Sequence, residues 1–511
     1  MSASPHKTSL SNQTGLSNKS AWLLSWQGVT FFILLLTLYR ILAITQGHVS
    51  LFYDEAYYYH WSLDPDWGYY SKPPMVAWII TMTTSLFSDN DFAVKLGAPI
   101  LYGLTAGVVY RIGKHLWNPQ AAACSALVFC AAPLVGFNSL FITTDAPLLF
   151  FWALATWLFI IALQTQSWKN WLLVGVAVGL GMMSKYTMAL LPIGLFLYMG
   201  ASKQYRPLLL TLKPWSAAVV AGLIFALNIY WNYQHNFVTL NHTSEISQLD
   251  KKLFNPDKLA EFILSQLIVF GPIWSYFLIR QWMSKEARAA ITQSGILLAT
   301  FLPLFLIICT QALLSRAFIN WAAPCLIAAS LWTGFYLSRQ PRRKLIIGLI
   351  IQLGFISTFY HWPIILESAG IERTRKVDPF QRTQGWSELA TQLKPVLMAS
   401  PNALITSPSR KLLAYISFYA EPGQLRVARW NPDQNNIRDY YDLLFNLRNY
   451  AHQNQQAFIL INETPLDSNL LSRFQQCGSE QHYTETVFRD LSREIYLYEC
   501  TGFKGYINEG P

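Results

Sequence analysis

Charge is what this chain has least of. Only 13% of its 511 residues are Asp, Glu, Lys or Arg, against roughly 25% in a soluble domain. With 52% hydrophobic and 15% aromatic residues, that deficit excludes a soluble globular chain and marks a polytopic membrane protein. No basic low-complexity tract is present, so the formal charge of +10 reads as membrane topology and not as a nucleic-acid surface. The first apolar run is too long for a signal peptide and lacks a small-residue cleavage site, which predicts an uncleaved first span. No internal repeat of the kind that builds transporters is evident. Cysteine is scarce: of six, Cys124, Cys130, Cys309 and Cys325 fall in apolar runs as small buried hydrophobes. Cys477 and Cys500 alone lie in polar sequence.

What is abundant is apolar length. A span needs about 20 apolar residues, and blocks near that size run over 22–45, 92–113, 119–138, 145–165, 171–183, 187–200, 214–232, 259–280, 291–313, 319–338 and 345–364. About eleven transmembrane helices are expected. Ser184-Lys185-Tyr186 interrupts the segment 171–200, which is either two short spans or one broken helix. Residues 1–21 read as a polar cytoplasmic tail. Even-numbered crossings end in basic residues: Arg111 and Lys114; Lys169; Lys203, Arg206 and Lys213; Arg280, Lys285 and Arg288; Arg339, Arg342, Arg343 and Lys344. The positive-inside bias then puts the N-terminus in the cytoplasm, and places the first loop and everything beyond about residue 365 outside.

That division gives a transmembrane domain over 22–365 and an extracytoplasmic domain over 366–511. In the first loop, Asp54 to Trp61 and Met75 to Phe87 read as two interfacial helices, with Pro73-Pro74 opening the second. Beyond 365, Trp386 to Ala390 fits an amphipathic helix, and Ala403 to Thr406 and Ala457 to Ile461 fit buried strands. About 140 residues suffice for one small α/β domain. Thr484 to Phe488 and Ile495 to Tyr498 alternate like strands, and a Cys477–Cys500 disulfide closing a terminal hairpin is expected outside the cytosol.

The external loops hold residues that a membrane surface tolerates poorly without a purpose. Asp54 and Glu55 open the first-loop helix among Tyr57, Tyr58 and Trp61, and Tyr70 follows. Neighbours on a helix point about 100° apart, so one carboxylate at most faces a given pocket. A solvated helix start is the bland alternative. Asp145 opens the fourth span on the same side, where an N-cap role is compatible with function. Lys72, Lys185 and Arg316 are cations where the positive-inside bias disfavours them. Each alone fits a snorkelling anchor, but three beside two acids fit a site for a phosphate-bearing lipid. His235 and Asn320 lie in nearby external segments.

Read in order, Asp54-Glu55-Ala56-Tyr57-Tyr58, Gly68-Tyr69-Tyr70-Ser71-Lys72-Pro73-Pro74, Thr144-Asp145-Ala146-Pro147, Gly179-Leu180-Gly181 through Ser184-Lys185-Tyr186, and Asn320-Trp321-Ala322-Ala323-Pro324 resemble the GT-C superfamily. These are polytopic glycosyltransferases that use polyprenyl-phosphate sugars. The likeness is to the bacterial protein-mannosyltransferase-like branch, which includes aminoarabinose and galacturonic acid transferases of lipid A and lipopolysaccharide. The resemblance implies a GT-C fold in the bacterial inner membrane, Asp54 as catalytic acid with Asp145 assisting, and Lys72 near the lipid phosphate. In some relatives the two carboxylates share a divalent metal, which makes Asp54 and Asp145 the candidate ligands; no other cofactor is implied. Where aminoarabinose transferases carry Glu before the loop lysine, this chain has Ser71. It also lacks the extra soluble repeats of eukaryotic protein mannosyltransferases, so a glycolipid acceptor is expected ahead of a protein.

The expected reaction is an inverting displacement. An acceptor oxygen attacks the anomeric carbon of a polyprenyl-phosphate sugar, and the phosphate departs without needing a proton. Lys72, Lys185 and Arg316 would stabilise the leaving group, and Tyr57, Tyr58, Trp61, Tyr70, His235 and Asn320 would line the substrate site; Asp54 would take the proton of a hydroxyl acceptor or, with a phosphate acceptor, orient the sugar or hold a metal. A flippase of lipid-linked sugars and a non-catalytic assembly factor are the two alternatives.

Overall fold

The computed structural model describes residues 22, 24–47, 49–248, 254–283, 295–433, 436–451 and 456–506. The tail at 1–21, Lys285 and Arg288 lie outside the described residues. In hydrocarbon every backbone N–H and C=O must be satisfied within the chain, so apolar runs become helices. All eleven apolar blocks fall on helical segments. Among the described residues, six helices are long and apolar enough to cross a membrane: Trp26–Thr45, Asp91–Leu116, Asp145–Thr165, Leu212–Gln234, Gly295–Leu314 and Arg342–Tyr360. The chain is a multi-pass membrane protein.

Two of the remaining blocks are broken for identifiable reasons. The block at 119–138 splits into Pro119–Cys130 and Pro133–Asn138, because Pro133 has no N–H with which to continue the first helix. The block at 259–280 splits into Pro256–Phe270 and Pro272–Met283, which meet at 106°. Gly271 turns that corner at φ +106°, and a Cβ there would collide with the Gln352 side chain. Counting this bent pair as one span makes seven segments long and apolar enough to cross, among the described residues.

The first loop contains the two expected helices, Tyr53–Ser62 and Met75–Phe87. The C-terminal region forms one six-stranded sheet from β1 (Leu404–Ser407), β2 (Val427–Arg429), β3 (Ala457–Asn462), β4 (Phe474–Cys477), β5 (Gln481–Phe488) and β6 (Leu491–Phe503). The order is β2-β1-β3-β6, parallel from β2 to β3 and antiparallel from β3 to β6, with β4 and β5 sharing the far edge of β6. Cys477 and Cys500 are register partners on β4 and β6, with sulfurs bonded at 2.04 Å. The disulfide therefore spans neighbouring strands around the β5–β6 hairpin and does not close that hairpin itself.

The sheet domain is not a separate appendage. Its helix Arg410–Tyr419 packs directly on the first-loop helix Tyr53–Ser62, and one continuous core runs from Trp386 and Tyr415 to Trp61. Polar ties reinforce the contact. The Tyr440 N–H donates to the Tyr57 hydroxyl (2.5 Å), and the Tyr70 hydroxyl donates to the Ile437 carbonyl (2.9 Å). The Tyr419 hydroxyl accepts from the Leu51 N–H (2.7 Å) and donates to the Asp91 carboxylate (3.0 Å). The helix that carries Asp54 is thus held against the C-terminal domain through Tyr57 and the packing of Arg410–Tyr419.

Candidate active site

Three segments distant in sequence meet at Asp145. It occupies the first turn of Asp145–Thr165, where the helix dipole favours a carboxylate, and is 1% exposed. Lys185 sits where Trp168–Met182 stops and the 3-10 turn Tyr186–Ala189 begins. Its extended backbone (φ −163°, ψ 138°) aims the side chain back across the break, and Nζ lies 2.7 Å from Asp145 Oδ1. Asn320, on the 3-10 turn Ile319–Ala322, donates its amide to Asp145 Oδ2 at 2.5 Å. Both carboxylate oxygens are therefore engaged by protein donors.

The first loop adds the second half. The Met75 N–H donates to the Met183 carbonyl (2.9 Å), which ties the loop to the Lys185 break. Lys72, just before Pro73-Pro74, lies within electrostatic reach of Lys185, Asp54, Asp145 and Arg410. Tyr58 is buried and senses Asp54 and Asp145 together. Asp54, Asp145, Lys72 and Lys185 therefore share one locality. Burial raises the Asp54 carboxyl above its ordinary value, against the opposing pull of Arg410 and Lys72. Burial also lowers the Lys72 ammonium to about 8, helped by the like charge of Lys185 and opposed by Asp54 and Asp145.

These shifts give a pH signature. Lys72 is charged below about 8 and neutral above it, so a role for its charge disappears as pH rises. A role for ionised Asp54 is lost at a higher pH than for an ordinary carboxylate. The expected kcat/KM profile for transfer is a bell with its basic limb near 8. Lys72→Arg, which stays charged, should remove that limb, and an unchanged limb in that variant would assign it to another group.

Glu55 does not belong to this cluster. It is 1% exposed, and its oxygens accept the Phe52 N–H (2.8 Å), the Ile142 N–H (2.8 Å) and the Lys95 ammonium (2.9 Å). Lys95 also donates to the Leu140 carbonyl at 3.1 Å. One helical step from Asp54 turns Glu55 inward, where it becomes a strut holding the first-loop helix to the segment that leads into Asp145.

Several expected lining residues are likewise committed to packing. Trp61 stacks on Tyr69 (4.7 Å, 3° between planes), and Tyr57 and Tyr70 serve the domain contact. His235 stacks on Trp231 at 4.1 Å and bonds through Nδ1 to its carbonyl. Arg316 is exposed, with its guanidinium over the Phe318 ring; it anchors on an aromatic and does not join Lys72 and Lys185. Tyr58 and Asn320 remain with the cluster.

Nor do the residues present fit a divalent metal shared by Asp54 and Asp145. Asp145 has both oxygens occupied, two lysines stand beside it, and among the described residues no group of three or more His, Cys, Asp or Glu could hold an ion. Two participants escaped the sequence reading. Lys95 lay in plain view as a charge inside an apolar block, which is itself a signal. Arg410, an arginine in a polar domain, carried no signal at all.

Residues 71–231 match the dolichyl-phosphate-mannose-protein mannosyltransferase family. The chain is 27% identical over 376 residues to the lipid A galacturonosyltransferase RgtD of Rhizobium johnstonii, covering 72% of this chain and 78% of that one. It is 31% identical over 201 residues to the undecaprenyl phosphate-alpha-4-amino-4-deoxy-L-arabinose arabinosyl transferase of Erwinia tasmaniensis, covering 36% and 35%. Its fold matches that of ArnT from Cupriavidus metallidurans, solved with undecaprenyl phosphate bound. The TM-score is 0.63 at 15% identity, over 94% of this chain and 99% of that one.

Proposed function

We propose that this chain, a membrane glycosyltransferase of the GT-C fold, moves a sugar from undecaprenyl phosphate to lipid A or a related envelope glycolipid on the outer face of the bacterial inner membrane. The observation that carries the reading is the gathering of Asp54, Lys72 and the Asp145–Lys185 pair under the C-terminal domain. The family match over 71–231 covers the loop lysine, Asp145 and Lys185, and RgtD and the arabinosyl transferases are transferases acting with lipid A or undecaprenyl phosphate by name. The flippase alternative is set aside with them. Basic residues at alternate helix ends support a cytoplasmic N-terminus and an extracytoplasmic C-terminal domain.

In the reaction, an acceptor hydroxyl oxygen attacks the anomeric carbon from the face opposite the phosphate. The new C–O bond forms as the C–O bond to phosphate breaks, and the electron pair leaves on the lipid phosphate. The configuration inverts. Lys72, partly desolvated and in no ion pair among the described residues, neutralises the departing oxygens. Lys185 acts less directly, because Asp145 already takes its charge. Asp54 accepts the hydroxyl proton, and its raised affinity for protons suits a base working near neutral pH.

The test has two parts. Purified chain incubated with radiolabelled undecaprenyl-phosphate sugar and lipid A should yield labelled lipid A of inverted anomeric configuration. Mass spectrometry of envelope glycolipids from a strain lacking the gene should show one sugar missing. Intact glycolipids in that strain, with no transfer by the purified chain, would refute the reading.

A further inference from the structure

The C-terminal domain contributes one charged side chain to the heart of the site. Arg410 opens the helix Arg410–Tyr419, whose first turn is fixed by the Ser409 hydroxyl accepting the Leu412 N–H at 3.4 Å. The guanidinium lies over two aromatic faces of the first-loop helix, 5.7 Å from the Tyr53 ring centre and 5.5 Å from that of Tyr57. Those rings are on either side of Asp54 in sequence. Cation–π contact holds the guanidinium in place, and with one N–H given to the Tyr53 hydroxyl the other donors of the fork are left for oxygen acceptors.

The surrounding charges leave this cation in need of an anion. Asp439, the other acid near it, is already paired with Arg429 at 2.9 Å. Asp54 attracts Arg410 electrostatically without forming an ion pair among the described residues, and Lys72 feels Arg410 as a like charge. Asp145 is neutralised by Lys185. What remains is Asp54 facing two cations, Lys72 from the membrane domain and Arg410 from the sheet domain. A half-buried guanidinium with five donors in a planar fork is matched by a phosphate or carboxylate, whose two oxygens can take a bidentate pair.

We propose that Arg410 is an anion-binding residue of the active site, delivered by the C-terminal domain, that takes a phosphate or carboxylate group of a substrate beside Asp54 and Lys72. The domain thereby completes the site instead of merely covering it. This rests on the function proposed above for the identity of the substrates, but the binding itself is measurable without transfer.

The experiment uses the full chain in detergent, as wild type, Arg410→Gln and Arg410→Lys. Binding of undecaprenyl phosphate is followed by intrinsic Trp fluorescence. Donor KM is measured with undecaprenyl-phosphate galacturonate and with the matched neutral galactose donor, and acceptor KM with bis-phosphorylated and dephosphorylated lipid A. Weakened undecaprenyl phosphate binding, about tenfold or more in Arg410→Gln and partly restored in Arg410→Lys, assigns the guanidinium to the lipid phosphate. A KM rise confined to the galacturonate donor assigns it to a sugar carboxylate, and one confined to phosphorylated lipid A assigns it to an acceptor phosphate.

Unchanged binding and unchanged KM values in Arg410→Gln overturn the proposal while leaving the proposed function intact. Absence of any transfer by wild type, with undecaprenyl phosphate binding still lost in Arg410→Gln, overturns the function and keeps the anion site. If Arg410→Gln loses its fold, Arg410→Lys decides. It keeps the charge over Tyr53 and Tyr57 but not the planar fork, so a loss of affinity or a rise in one of the KM values at unchanged melting temperature supports the assignment, and unaltered affinity with unaltered KM values refutes it.

Discussion

Asp54→Asn should lower the transfer rate by about 10²–10⁴-fold, the usual contribution of a positioned general base, and leave undecaprenyl phosphate affinity within about threefold of wild type. Asn keeps the shape of the side chain and removes its capacity to take a proton. Asp54 is the carboxylate at this site free for such work, since both oxygens of Asp145 are engaged by Lys185 and Asn320. It is half-buried beside Tyr58, Lys72 and Arg410. The loss should appear in kcat and kcat/KM alike, as expected for an interaction made in the transition state. Near-normal transfer by Asp54→Asn would remove Asp54 as the base and favour an acceptor phosphate, which needs none.

Lys95→Met should destabilise the protein by about 3–5 kcal/mol, the range for stripping one partner from a buried ion pair. Glu55 and Lys95 are each 1% exposed and 2.9 Å apart. Removing the ammonium leaves a carboxylate buried against two backbone N–H groups, those of Phe52 and Ile142, with its charge uncompensated. The double variant Glu55→Gln/Lys95→Met should recover most of the stability, because no unpaired charge then remains. Activity should recover less well than stability. The strut joins the helix of Asp54 to Leu140 and Ile142, the residues that lead into Asp145, and a small misplacement of catalytic groups is costly. Denaturant midpoints in detergent beside transfer rates would check this; Lys95→Met with wild-type stability would contradict the strut.

Much of the architecture was legible before any coordinates. Apolar blocks mark helices because the bilayer leaves no other arrangement for the backbone, and the runs Ala403 to Thr406 and Ala457 to Ile461, which fall on β1 and β3 to within a residue, carried their burial in their composition. The candidate site was legible through its cost: Asp54, Lys72, Asp145 and Lys185 are charges where an idle charge is disfavoured, and they share one locality.

What the sequence did not carry was direction. Glu55 is as acidic as Asp54, and only the helical step decides which one faces the site. Arg316 is a cation four residues before Asn320 in sequence, yet it rests on Phe318, while Arg410 comes near Asp54 from a domain where arginine is unremarkable by composition. Tyr57 and Tyr70 sit beside the acids in sequence but serve the domain contact, which no local pattern announces. The crossing count was similarly blurred, since hydropathy does not register the corner at Gly271.

An experimental structure of the full chain with undecaprenyl phosphate, in a lipid nanodisc, tests the central claim most directly. The phosphate should lie within hydrogen-bond distance of Lys72 Nζ, with Asp54 facing the anomeric position and Asp145 still held by Lys185 and Asn320. A phosphate seated elsewhere, for instance on Arg316, with Lys72 and Asp54 out of contact, would contradict the account.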